Sequence, residues 1–324
     1  MPDRILTVRV HRITPHTSEI SSFELVHPWG RTLPGYAAGA HIDLHTPGGF
    51  KRQYSLARAA PDGGPVHSYL IGVKHEPAGR GGSAALHGQV REGELLPIST
   101  PRNSFPLRGE ARHHLLLAGG IGLTPLLAMA QQLAAEGRAF TLCVFARSRA
   151  HLAFAAELAA LAPHVRLHFD DSAAPEKIDL AGLLAPHSDG GHLFLCGPGG
   201  FMLAARQAAA HWRGQAVHAE HFAVPAGSAA AAPGRPFELQ LLRRGLTVPV
   251  RADQTAVEAL HDIGIDVPTS CEQGLCGSCV VGWTAGEGGA EPEHFDHCLS
   301  ADERRSRVAL CCSRARNGVL CIDV

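Results

Sequence analysis

Over the first 110 residues, apolar and polar positions alternate with a period of two. The stretches 5–13, 20–27, 40–45, 53–57 and 68–74 all follow this pattern, with glycine or proline between them. Five or six short strands without a helical period predict a small antiparallel β-barrel. From about 111 to 222 the rhythm changes. Apolar runs at 114–118, 140–145, 165–169, 192–196 and 217–222 are separated by Ala/Leu-rich stretches of helical length. Strand–helix alternation repeated in this way predicts an α/β domain, with a parallel sheet covered by helices on both faces. Residues from Val224 to Pro236 are small, bounded by proline and without periodic apolar positions, a linker composition. Beyond them, 237–242 and 247–251 flank Arg243-Arg244-Gly245-Leu246, a hairpin signal, and 255–263 has helical spacing. The chain therefore divides into a barrel domain at 1–109, an α/β domain at 110–224, a linker at 225–236 and a compact α+β module at 237–324. No internal repeat is present.

Composition narrows the class. With 45% hydrophobic and 18% charged residues in 324, the chain is neither disordered nor fibrous. No apolar run reaches the ~18–20 residues of a membrane helix, and the alternating N-terminus lacks a signal-peptide core. A soluble, cytoplasmic protein is expected. The net charge of −1 conceals a division: residues 1–235 carry 21 basic and 17 acidic side chains, residues 236–324 carry 8 and 13. An acidic C-terminal module points to a partner of its own. No basic stripe with interleaved aromatics supports nucleic-acid binding.

Seven of the nine cysteines fall after residue 270, and an odd count without an export signal argues against a disulfide framework. Cys271, Cys276 and Cys279 have the C-x4-C-x2-C spacing of a plant-type [2Fe–2S] loop, and a distant pair, Cys311 and Cys312, offers the fourth thiolate. Gly274 and Gly277 stand between ligands, where the loop must bend its amides towards sulfur. A structural zinc site is the rival, but zinc favours two paired clusters. Cys298, Cys312 and Cys321 are otherwise read as packing residues.

Two glycine-rich turns end apolar runs of the α/β region. Leu117-Ala118-Gly119-Gly120-Ile121-Gly122-Leu123-Thr124-Pro125 reads as a strand leading into a helix, with Thr124 as N-cap and Pro125 at the first helical position. Glycines there let the backbone approach a pyrophosphate. Leu195-Cys196-Gly197-Pro198-Gly199-Gly200 repeats the design, with Cys196 expected at the mouth of the crevice or, alternatively, as a buried small residue ending a core strand. In the barrel, Lys51-Arg52-Gln53-Tyr54-Ser55-Leu56 can set an aromatic and a hydroxyl against a planar ring while an arginine pairs a phosphate, the alternative being an ordinary surface strand. Gly79-Arg80-Gly81-Gly82-Ser83 opens a short helix with Ser83 as N-cap, an anion site. The 21 histidines are scattered, and no general base is assigned.

In their order along nearly the whole chain these motifs, with Pro101-Arg102-Asn103, resemble the phthalate dioxygenase reductase family, the flavin and iron–sulfur reductases of Rieske oxygenases and O-demethylases. The resemblance implies a flavin barrel, an NAD-binding α/β domain and a plant-type, β-grasp-like ferredoxin domain. It implies FMN held by Arg52, Tyr54 and Ser55, with Ser55 near N5 and with Lys74, Gly81, Gly82 and Ser83 around the ribityl phosphate. NADH is expected along Gly119, Gly120, Gly122 and Thr124, with Cys196, Gly197 and Pro198 near the nicotinamide. Glu220-His221-Phe222 matches the segment whose aromatic covers the flavin, which makes Ser55, Cys196 and Phe222 the residues at the reacting centre. The stretch Leu310-Cys311-Cys312-Ser313-Arg314-Ala315 places the fourth cluster ligand at Cys311, with Cys312 pointing the opposite way on one strand. The alanine-rich linker departs from the family.

The expected activity is an NADH-dependent reductase that delivers single electrons to a partner Rieske oxygenase in a transient, electrostatically assisted encounter, as a monomer. The alternatives are the same electron chain serving a cytochrome or a non-aromatic amine demethylase, and a redox sensor without turnover. Arg147 and Arg149, after the second parallel strand, with Ser148 between them, leave NADPH open.

Overall fold

The computed structural model describes the chain except residues 1–4, 61–63, 80, 174–176, 186–189, 213–215, 224–233, 270, 286–288 and 317. Arg80 and most of the 225–236 linker lie outside the described residues. The rest forms two compact units, one running to Phe222 and the other beginning at Ala223.

The first unit begins with an antiparallel sheet. Its strands are β1 (Ile5–Pro15), β2 (Ile20–Val26), β3 (Ala40–His45), β4 (Lys51–Ser55), β5 (Ser68–Lys74), β6 (Leu95–Ser99) and β7 (Arg102–Asn103), with helix α1 (Gly82–Gln89) before β6. The order is β4-β3-β6-β1-β2-β5, with β7 paired to β3. A bridge from Leu56 to Ile71 brings the end of β4 onto β5 and closes the sheet on itself. The period-two pattern explains the core: Val8, Val10, Phe23, Leu25, Ile42, Leu44, Ile71 and Val73 point inward and are buried. The strands β6 and β7 escaped the sequence reading because they are short and leave little alternation to detect.

The same unit continues with five parallel strands: β8 (His113–Gly119), β9 (Phe140–Ala146), β10 (Val165–Phe169), β11 (Gly191–Cys196) and β12 (Val217–Glu220). Between them run α2 (Leu123–Ala135), α3 (Ala155–Ala160), α4 (Leu180–Leu184) and α5 (Gly199–Ala208). The order β10-β9-β8-β11-β12 turns back between β8 and β11. Both faces are covered, as the continuous apolar runs require. Leu116, Ala118, Leu142 and Phe194 meet α2 on one face, and Leu115, Leu117, Leu193 and Leu195 meet Met202 and Ala205 of α5 on the other.

The second unit holds β13 (Phe237–Leu241), β14 (Leu246–Val250), α6 (Ala256–Asp262), β15 (Val280–Thr284), β16 (Pro292–Glu293), β17 (Arg307–Ala309), β18 (Arg314–Ala315) and β19 (Val319–Ile322). Its main sheet runs β14-β13-β19-β15-β17, with β13 and β19 parallel. The hairpin read from Arg243-Arg244-Gly245-Leu246 is present, with Gly245 at φ 63°. Thr255 caps α6 in a reciprocal box with Glu258. No helix among the described residues is long and apolar enough to cross a membrane.

Candidate functional site

The two glycine turns meet where the sheet order reverses. β8 and β11 are hydrogen-bonded neighbours, so Gly119–Gly122 and Cys196–Pro198 lie side by side at their carboxyl ends, where open α/β sheets receive ligands. The glycines are sterically required. A Cβ on Gly122 would stand 2.3 Å from the Cys196 carbonyl oxygen, and one on Gly119 would stand 2.8 Å from Pro198 Cδ. Gly120, at φ 53°, has nothing within 4 Å of its Cβ position, so the turn is open above it. These features fit a pyrophosphate close to the backbone.

The helix start differs from the sequence reading. A 3-10 turn over Gly120–Gly122 precedes α2, whose N-cap is Gly122. Thr124 and Pro125 therefore sit second and third in the helix, and the Thr124 hydroxyl donates back to the Ile121 carbonyl at 3.1 Å. Cys196 is fully buried rather than at a crevice mouth, because it is the last residue of a central strand. Burial, and then the neighbouring Glu220 carboxylate, push its thiol well up.

Strand β4 carries Arg52 and Tyr54 on one side and Ser55 on the other, by its pairing with β3. Arg52 lies against the glycine loop: a Cβ on Gly82 would be 2.6 Å from Arg52 Cγ, and one on Gly81 would be 2.7 Å from the Phe50 ring. The Arg52 guanidinium stacks 5.3 Å from the centre of that ring. A cation over a glycine turn at a helix start fits a phosphate. Ser83 is not the cap, since Gly81, at φ 81°, occupies that position. The Ser83 hydroxyl instead accepts from the Glu76 amide at 3.1 Å, and Lys74 pairs with the Glu76 carboxylate. Tyr54 is partly buried against the barrel core, and burial raises its phenol to about 12.

One of the contacts between the barrel and the parallel sheet joins two of these motifs. Ser55 Oγ donates to Glu220 Oε2 at 3.1 Å, and Glu220 pairs in register with Cys196 at the ends of β12 and β11. Ser55, Cys196 and Glu220 thus form one constellation. Burial pushes the Glu220 carboxyl up to about 7, against the hydrogen bond from Ser55. Glu220 stands beside Phe222 in the matched segment but received no role from the sequence. An acid ending the last parallel strand, in register with Cys196, was the signal available. Phe222 lies past the end of β12 and is 41% exposed, so it is not a core residue of that strand.

In the second unit the three-cysteine loop needs left-handed backbone at Glu272 (φ 54°), Gly274 (φ 70°) and Gly277 (φ 76°). This curvature turns amides inward. Gln273 and Leu275 donate to Cys271 Sγ at 3.4 Å, Gly274 to Cys311 Sγ at 3.2 Å and Ser278 to Cys276 Sγ at 3.5 Å. Cys271 lies beside Cys276, and Cys279 beside Cys311. The hydrogen bond between the first two holds the Cys276 thiol down and the Cys271 thiol up. Among the described residues no three His, Cys, Asp or Glu side chains are placed to hold one metal ion. Two pairs of sulfurs ringed by amides fit a two-iron cluster. Cys311 and Cys312 lie in a turn after β17 rather than on one strand, so the expected opposition by strand alternation does not apply. Cys312 packs behind the loop, where a Cβ on Gly274 would reach 2.6 Å from its sulfur.

Residues 239–316 match the model of the 2Fe-2S iron-sulfur cluster binding domain, and residues 99–217 match that of the dimethylamine monooxygenase subunit DmmA-like N-terminal domain. The chain is 43% identical over 312 residues to a vanillate O-demethylase oxidoreductase of Pseudomonas sp. (strain HR199 / DSM 7063), covering 94% of this chain and 96% of the relative. It is 39% identical over 325 residues to the heme-dependent oxidative N-demethylase beta subunit of Ectopseudomonas mendocina (strain ymp), covering 99% of both. Among solved structures it resembles a phthalate dioxygenase reductase, described as a modular structure for electron transfer from pyridine nucleotides to [2Fe-2S], at TM-score 0.72 and 34% identity over 99% of this chain and 98% of the other. With its motifs and geometry in the same order, the chain belongs to the phthalate dioxygenase reductase family.

Proposed function

We infer that the protein is the reductase component of an oxygenase system, taking electrons from NADH through FMN and a [2Fe–2S] cluster to a partner oxygenase. The observation that carries this reading is the Ser55–Glu220 contact, which brings the predicted flavin strand to the ends of β11 and β12. FMN, when bound, would supply a carrier able to hold two, one or no electrons between a two-electron donor and a one-electron cluster.

The chain's own residues bind and orient. Arg52 and the Gly81-Gly82-Ser83 turn, with Lys74 nearby, hold the FMN phosphate and ribityl, and Tyr54 and Ser55 lie along its ring. Gly119, Gly120, Gly122 and Thr124 receive the NADH pyrophosphate, and Cys196, Gly197 and Pro198 back the nicotinamide. Phe222 covers the ring face, and its exposure leaves it able to move aside for the nicotinamide. Ser55 and Glu220 hold a proton at the reacting edge. Cys271, Cys276, Cys279 and Cys311 ligate the cluster, and the loop amides stabilise charge on their sulfurs. The domain limits follow as 1–109, 110–224 and 237–324 about the 225–236 linker.

The partner is a Rieske oxygenase met in a transient encounter by a cytoplasmic, monomeric reductase. Plant-type clusters lie near about −400 mV and Rieske centres at about −150 to +300 mV, so delivery runs downhill. The acidic C-terminal module suits a basic patch on that partner. A heme acceptor is the second reading, favoured by the likeness to the N-demethylase subunit.

Anaerobic addition of NADH to purified holoprotein tests the core of this reading. Flavin and cluster absorbance should both bleach; bleaching of neither would defeat it. Reconstitution with Rieske and with heme oxygenases separates the two acceptors.

A further inference from the structure

We propose that Glu19, reaching from the barrel, makes the nucleotide site discriminate against a 2′-phosphate by holding Arg147 at the carboxyl end of β9. The inference rests on the reading of that edge as the dinucleotide site. In doubly wound sheets the pyrophosphate sits at the first glycine turn and the adenosine ribose lies beyond it, towards the next strand. Here the turn follows β8, the next strand is β9, and Arg147-Ser148-Arg149 follows its last residue. Two arginines and a hydroxyl at that place have the chemistry of a 2′-phosphate receptor.

The structure engages all three. Arg147 Nη2 donates to both carboxylate oxygens of Glu19, each at 2.7 Å. The Arg149 guanidinium lies over the Phe169 ring, 5.2 Å from its centre. Ser148 Oγ is 2.7 Å from His151 Nδ1. Glu19 is placed by its turn: its amide donates to Thr17 Oγ1 at 3.1 Å and its carbonyl accepts from the His75 amide at 2.7 Å. The backbone after β10 fixes the turn that carries Arg147. The Asp170 amide donates to the Ala146 carbonyl at 3.1 Å and the Asp171 amide to the Arg147 carbonyl at 3.3 Å. A dianionic 2′-phosphate arriving here meets the Glu19 carboxylate and must take Arg147 from it. A ribose diol carries no charge and donates to carboxylates.

The side chains of Arg147 and Glu19 are 59% and 35% exposed, so their ion pair adds little to folding. A substitution is therefore read in recognition. Isothermal titration of holoprotein with 2′,5′-ADP and 5′-ADP, beside kcat/KM for NADPH and NADH with ferricyanide, tests it. Wild type should prefer 5′-ADP and NADH. Glu19→Gln should narrow both preferences about tenfold, the scale of removing one charge from beside a dianion, and adding Arg147→Ala should abolish that gain. Preferences unchanged within twofold in Glu19→Gln overturn the proposal, and so does a gain that survives Arg147→Ala. Binding is read without turnover, so a chain with this nucleotide preference that reduced no acceptor would sink the reductase reading and leave this one standing.

Discussion

Glu220 offers a pH test of its contact with Ser55, which links the barrel to the parallel sheet. Its carboxyl, ordinarily near 4.5, is pushed up to about 7, chiefly by burial. Below pH 4.5 the group is protonated in folded and unfolded chains alike and costs nothing. Between 4.5 and 7 the unfolded chain ionises first, so the folded state holds more protons and loses stability as pH rises. Above 7 the loss is complete. Each pH unit of displacement corresponds to about 1.4 kcal/mol, so the full penalty is about 3 kcal/mol. Glu220→Gln keeps the shape and a partner for Ser55 but cannot ionise. Wild type should therefore lose about 3 kcal/mol relative to the variant between pH 4.5 and 8. Because the chain has two compact units, the readout must be local: denaturant-dependent hydrogen exchange in peptides of β8 and β11, on holoprotein. The variant's own fixed cost appears at both pH values and drops out. A gap between wild type and variant that is the same within about 1 kcal/mol at both would refute the reasoning.

Other outcomes follow from single contacts. Gly122→Ala forces a Cβ against the Cys196 carbonyl and should destabilise the β8–β11 region by about 1–3 kcal/mol while raising the KM for NADH. Gly120→Ala meets no neighbour and should show only the backbone penalty of about 1–2 kcal/mol; equal effects in both, by denaturation and steady-state kinetics, would count against the crowding argument. Cys311→Ser should lose the visible cluster spectrum and Cys312→Ser keep it, as measured by absorbance and iron content. Thr255→Ala removes one half of the capping box and should cost the second unit about 1 kcal/mol in urea denaturation. Electron delivery to the oxygenase should slow as salt rises through the range where screening acts; a stopped-flow rate indifferent to salt opposes the acidic docking face.

Local patterns were legible without coordinates. The cysteine spacing, the glycine turns and the strand–helix rhythm each occupy a few neighbouring residues, and backbone geometry ties such residues to one element. The runs at 40–45, 68–74 and 165–169 are strands with those same limits. Caps were less legible, because Thr124 and Ser83 are good cap residues that lost the position to Gly122 and Gly81. Close backbone packing at the switch point and left-handed geometry at the loop favoured glycine over a side-chain oxygen there.

What the sequence by itself determined is the inventory: three modules in order, four thiolates on one loop and its distant partner, and turns fit for phosphate. What only the tertiary structure decided is which distant groups meet. Ser55 and Glu220 are 165 residues apart and Glu19 and Arg147 are 128 apart. Strand order β10-β9-β8-β11-β12 sets the two glycine turns side by side, and the left-handed loop turns its amides towards the thiols. Hydrophobic periodicity states which face of each element is buried. It carries no term for which element lies against that face, so the Ser55–Glu220 contact and the Glu19–Arg147 pair emerge only when the elements pack.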